Sequence, residues 1–238
     1  EGFVAKARQG YVRAGLAEEE RLQAAAKKAR QRGKMRVRPA CDFAPETAEY
    51  LVEPYLPRGM ISILGGVSGV GKTSLALDIC AKLTRGKPSP AGEALCRPCP
   101  VVYLTAENDP NKVLRPRAEA MGADLARLYF QDGASYAMGD EELFSLCRTL
   151  RPDLIVFDPI QSYLGQGVQM NRAEQVRPLL DALGALAKEL NMAVLLISHM
   201  SKPGPGVCSA LDRLLGSSDF RNAARSILIA GRDPQAPD

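Results

Sequence analysis

The residues best suited to chemistry in this 238-residue sequence are Gly66-Val67-Ser68-Gly69-Val70-Gly71-Lys72-Thr73, followed by Ser74. They satisfy G-x-x-x-x-G-K-[ST] at every fixed position. Gly66, Gly69 and Gly71 free the backbone to turn its amides inward onto phosphate oxygens. A helix N-terminus at the same point adds partial positive charge. Lys72 is then expected to reach the β- and γ-phosphates of ATP, and the Thr73 hydroxyl to ligate Mg2+. The setting agrees: the apolar run Met60–Leu64 precedes the loop as a buried strand, and a helix-periodic stretch follows it.

Ligands of open α/β sheets gather at the carboxyl ends of the strands, so the residue ending each apolar run matters. The run 153–158, DLIVFD, ends in Asp158, the expected Mg2+ carboxylate. Hydrolysis also needs a group that orients or deprotonates water. Pro159 follows Asp158 and cannot do this, so Glu107, at the end of PVVYLTAE, is the candidate base. His199, the one histidine in the chain, ends MAVLLISH and is a candidate γ-phosphate sensor or relay. The plainer alternatives are an ordinary surface acid for Glu107 and a structural histidine for His199.

Short apolar runs that alternate with helical patterns position these residues, the mark of a mainly parallel α/β sheet flanked by helices. Strands are expected at 60–64, 100–106, 127–130, 153–158, 192–198 and 225–230. Helices are expected at 72–84, 110–121, 139–149 and 171–190. A boundary near residue 40 separates this domain (41–238) from a basic helical extension or linker (1–40). That extension carries 11 Lys and Arg against 4 Glu, leaving 20 basic and 23 acidic residues for the rest. Residues 11–32 read as a charged helix with a thin apolar stripe. It is a solvated linker, a helix docked on a neighbouring subunit, or a basic arm for nucleic acid. No apolar run approaches the roughly 20 residues that span a bilayer. The six cysteines are scattered as reduced core thiols are, which points to the cytoplasm. Cys96 and Cys99 form one CxxC without the further ligands a structural zinc needs. The sequence opens on Glu1 and not Met, which reads as a fragment or processed chain.

Taken in order, the phosphate loop, TAE (105–107), FDP (157–159), ISHMSK (197–202) and GSSDFRNAARSIL (216–228) resemble the RepA-like P-loop ATPases, RecA-fold proteins of plasmids, phages and mobile elements. The resemblance runs from about Tyr50 to Pro234. It implies a RecA-like core, hexameric rings with ATP at subunit interfaces, and single-stranded DNA as partner of a replicative helicase. By motif, Lys72 and Thr73 match the Walker A pair, Glu107 the catalytic glutamate, Asp158 the Walker B acid and His199 the strand-end histidine. Arg225 matches the arginine that family members present to the neighbour's γ-phosphate, and Lys202 and Arg213 are weaker candidates. The family's DNA loops correspond to about 161–173 and 201–219, which hold few basic residues and no aromatic ladder for stacking bases. Its last pair of strands, after 229–234, has no counterpart in the sequence. Two readings stay open beside the motor: an ATP-switched DNA-binding recombination or loading module, and a small-molecule kinase, for which no lid insertion is visible.

Overall fold

Runs of four to seven apolar residues, closed by Gly, Pro or an acid, are too short for stable helices and suit strands buried on both faces. The computed structural model bears this out. It describes residues 37–45, 47–87, 97–133, 136–200, 209–214 and 218–232. The helix expected over 11–32, Cys96 and Lys202 lie outside them. The chain divides into two compact units, Glu1–Glu46 and Thr47–Asp238. In the first, Ala40–Asp42 form a 3-10 turn and the Arg38 guanidinium stands 4.3 Å from the centre of the Phe43 ring.

The second unit begins with a two-stranded antiparallel hairpin, β1 (Tyr50–Val52) and β2 (Leu56–Pro57). Six further strands form one sheet: β3 (Ile61–Gly66), β4 (Val101–Thr105), β5 (Leu128–Phe130), β6 (Leu154–Asp158), β7 (Ala193–His199) and β8 (Ala224–Ala230). Their spatial order is β5-β4-β6-β7-β3-β8, and every neighbouring pair is parallel. The chain leaves β3 for the far side of the sheet, and β6 and β7 later fill the gap. That order places the tip of β7 between the tips of β3 and β6.

Alternation along each strand builds two cores. In β4 and β6, Val101, Tyr103, Leu104, Leu154, Val156 and Phe157 are all buried. Val101, Tyr103, Leu154 and Val156 face α1 (Lys72–Thr84), α2 (Arg115–Ala120) and the hairpin. Val102, Leu104, Ile155 and Phe157 face α3 (Glu141–Leu150), α4 (Ala173–Leu190) and α5 (Ser218–Ala223). In α4, Val176, Leu180, Leu183 and Leu186 recur at helical spacing on the inner face. The expected helix over 110–121 is divided: a π-helical turn, Pro110–Leu114, precedes α2, where Pro116 supplies no backbone N–H.

An ionic cluster ties the opposite end of the sheet from the strand tips. Asp153, just before β6, has a side chain only 8% exposed and accepts from Arg97 Nη2 at 2.7 Å. Arg58 Nη2 lies 2.7 Å from the same oxygen but out of line for a hydrogen bond, so its attraction is ionic. Arg58 also donates through Nη1 to Asn191 O, at the C-cap of α4. Losing the acid strands a buried guanidinium, which costs about 3–5 kcal/mol. Asp153→Ala is therefore expected to lose stability of that order in urea unfolding, at unchanged m-value.

Candidate nucleotide site

The phosphate loop leaves β3 at Gly66 and enters α1 at Lys72. Gly69 and Gly71 have φ of 76° and 91°, the left-handed region that side chains avoid. Gly66 is required by space: a Cβ there would lie 2.8 Å from Val70 Cγ1 and 3.0 Å from Ala230 O. No side chain caps α1, and its first turn holds no acid. The helix thus presents amides and dipole to an anion without competition.

Lys72 is only 6% exposed and donates from Nζ to Gly66 O and Val67 O, both at 2.9 Å. Burial pushes its pKa below the ordinary lysine value, and the charges of Asp158 and Glu107 oppose that shift. Val67, Ser68, Gly69, Gly71 and Ser74 are exposed and Val70 is partly so. Thr73 Oγ1 donates to Asp158 Oδ2 at 2.8 Å. The same carboxylate oxygen accepts from Tyr103 OH at 2.7 Å. Asp158 closes β6 with 4% exposure.

Glu107 follows β4, the neighbour of β6. Ala106 N donates to Asp158 O, and Thr105 Oγ1 accepts from the backbone N–H of Glu107 and Asn108 at 3.4 and 3.3 Å. Asp109 Oδ1 then caps the next turn by accepting from Asn111 N and Lys112 N. These bonds fold the segment sharply at the strand tip and leave the Glu107 side chain 56% exposed. His199 ends β7 in register with Gly66. Its Nε2 lies 3.7 Å from Glu107 Oε1, an ion pair only when the imidazole is protonated. Lys72, Thr73, Asp158, Glu107 and His199 therefore stand at one end of the sheet.

One candidate stands apart from them in its own chain. Arg225 is the second residue of β8, near the level where β3 begins, while Gly66 pairs with Ala230. It is exposed at the opposite end of the sheet from the phosphate loop of its own chain. Arg213 lies in the 3-10 turn Leu211–Arg213. Arg172, in the first expected DNA loop, is bonded to Gln169 and Glu174. Among the described residues no three His, Cys, Asp or Glu side chains form a metal cluster, and no helix is long and apolar enough to cross a membrane. Burial and Asp153 push the Cys99 thiol up to about 11.

A parallel sheet with a phosphate loop after β3 and acids at the tips of β4 and β6 is a RecA-like arrangement. The AAA domain family matches residues 30–205, more than half of the chain. The chain belongs to that family. It is also similar to the DNA repair protein RadA of Streptococcus pneumoniae, 27% identical over 149 residues, covering 61% of this chain and 31% of the relative. The RadA of Listeria monocytogenes is 27% identical over 165 residues, covering 67% and 32%, and that of Bacillus subtilis 24% over 149, covering 62% and 29%. The chain spans about a third of the length of these curated relatives. The comparisons reach the RecA-like P-loop ATPases as a superfamily and do not single out its RepA-like branch.

The donors present suit Mg-ATP: the backbone amides at the start of α1, which no side chain caps, an ammonium, and a hydroxyl that donates its hydrogen bond to a carboxylate and keeps its lone pairs free. Sequence reasoning missed Tyr103, because a tyrosine inside an apolar run reads as core. Lys72→Met removes the ammonium held at the loop and serves as the variant to compare with the parent. Mg-ATP at 100 times its Kd should stabilise the parent by about 2.7 kcal/mol and leave the variant unmoved, read by thermal denaturation.

Proposed function

We propose that this domain binds and hydrolyses Mg-ATP and couples the cycle to single-stranded DNA, as a RepA-like motor working in a ring. The observation that carries the reading is the meeting of five side chains at one sheet end: Lys72, Thr73, Asp158, Glu107 and His199. When bound, Mg2+ would supply positive charge to offset that of the phosphates. Thr73 and Asp158 are the residues that would hold it, Thr73 directly and Asp158 through water. Lys72, freed from the Gly66 and Val67 carbonyls, neutralises the β- and γ-phosphates. Glu107, exposed beside that position, accepts the proton of the attacking water.

His199 lies between the phosphate loop and Asp158, within 3.7 Å of Glu107. In this reading it responds to the γ-phosphate and passes that state to the segment after β7. Met200, the next residue, donates its N–H to Gly66 O and pairs with Leu214 beyond that segment. Arg225, at the far end of its own sheet, acts in this reading only from an adjacent protomer, which makes the ring part of the active site. The order of ring favoured is a hexamer.

A DNA repair role, which the RadA name suggests, is compatible with a second reading: an ATP-switched DNA-binding recombination or loading module without unwinding activity. Strand-separation assays divide the two. Unwinding of a tailed duplex supports the motor, and ATP-dependent assembly without unwinding supports the switch. ATPase rate with and without single-stranded DNA tests both, and an unstimulated rate would remove DNA from the proposal.

Glu107→Gln is expected to keep ATP binding while turning over at least ~100-fold more slowly, as loss of a general base predicts. A near-parental rate in a phosphate-release assay would place the base elsewhere. Mixing Arg225→Ala chains with Lys72→Ala chains is expected to restore activity that neither has alone. No recovery at any mixing ratio would remove Arg225 from the neighbour's site.

A further inference from the structure

The interior side of the candidate site contains one polar group that the proposed cycle does not use. Tyr103 is fully buried on β4, and its ring meets Phe130 edge-on at 6.3 Å and 79°. Its backbone pairs with Val156, yet its hydroxyl reaches two residues further along β6 to Asp158 Oδ2 at 2.7 Å. A core-filling role explains the ring alone. A phenylalanine would fill that space without placing a hydroxyl that must find an acceptor.

The acceptor chosen is informative. Asp158 Oδ2 takes the Thr73 proton at 2.8 Å as well as the Tyr103 proton. Two strong donors on one carboxylate oxygen occupy its lone pairs and fix the rotation of the group. The other oxygen, Oδ1, takes part in neither bond. At the same time the Thr73 hydroxyl, having given its proton to Asp158, turns its own lone pairs outward.

We infer that Tyr103 is a positioning residue for Mg2+: it locks Asp158 with Oδ2 turned inward and so aims Oδ1 and the Thr73 hydroxyl at the cation. Outer-shell partners of this kind typically change metal affinity by about 10–100-fold when removed. The inference rests on the Mg-ATP reading of the site, and its test separates the two.

The experiment is calorimetric titration of a non-hydrolysable ATP analogue into the parent and Tyr103→Phe, across a series of Mg2+ concentrations and in EDTA. The Phe variant keeps the ring, and its far-ultraviolet circular dichroism should match the parent. The expected result is a rise of about tenfold in the Mg2+ concentration needed for half-maximal tightening, with affinity in EDTA within about twofold of the parent. An unchanged Mg2+ requirement would overturn the inference. So would equal weakening with and without Mg2+, which is the signature of a merely structural defect. If the parent itself binds the analogue no better with Mg2+, the site assignment fails first and this inference goes with it.

Discussion

A carboxylate at a strand tip with 4% of its surface exposed has little water to satisfy its oxygens, so the protein must supply donors. Asp158 receives them from two directions: Thr73 on the first turn of α1, and Tyr103 on the neighbouring strand β4. The first bond joins the phosphate loop to the strand two places from β3 in the sheet order, across the tip of β7. Helix α1, strand β4 and strand β6 are thus held to one another at the point where the candidate chemistry lies. With β7 inserted between β3 and β6, the hydroxyl at the start of α1 still meets the carboxylate at the end of β6.

The same insertion gives His199 its place. In a sheet where β3 and β6 were neighbours, no third strand tip would stand between the loop and the acid. Here the β7 tip is in register with Gly66 and its imidazole approaches Glu107 from across Asp158. Gly66 O accepts from both Lys72 Nζ and Met200 N. A change at the loop lysine is therefore felt one residue beyond His199 without any long-range path.

Much of this was legible beforehand because the signals are local and periodic. The phosphate loop declares itself by glycine spacing, and the strands by apolar runs that end in Glu107, Asp158 and His199 or just before them. The hairpin Tyr50–Pro57 was not legible as strands, since Pro54 and Pro57 argue against a ladder and only antiparallel edge pairing tolerates them. Helix α5 was hidden for another reason. Six residues with one buried apolar side chain, Phe220, have too little periodicity to show, and packing against α4 stabilises them. Tyr103 was hidden because its neighbours Val101, Val102 and Leu104 make the whole segment look like core. Sequence spacing cannot reveal that a side chain reaches diagonally to a residue 55 positions away.

Arg225 marks the limit of motif matching most clearly. The strand β8 runs parallel to β3, so its first residues must lie at the end of the sheet remote from the phosphate loop. Five residue steps at about 3.3 Å each put Arg225 on the order of 16 Å from the Ala230 level, where Gly66 sits. No side-chain rotation closes that gap within one protomer. A motif match carries a residue's identity but not its direction, and a parallel strand supplies the direction. If this arginine meets a γ-phosphate at all, a second copy must bring that phosphate to the amino-terminal edge of β8. In the proposed ring, the groups that would hold Mg2+ and water belong to one chain and the arginine finger to another, so that turnover would depend on protein concentration even where ATP binding does not.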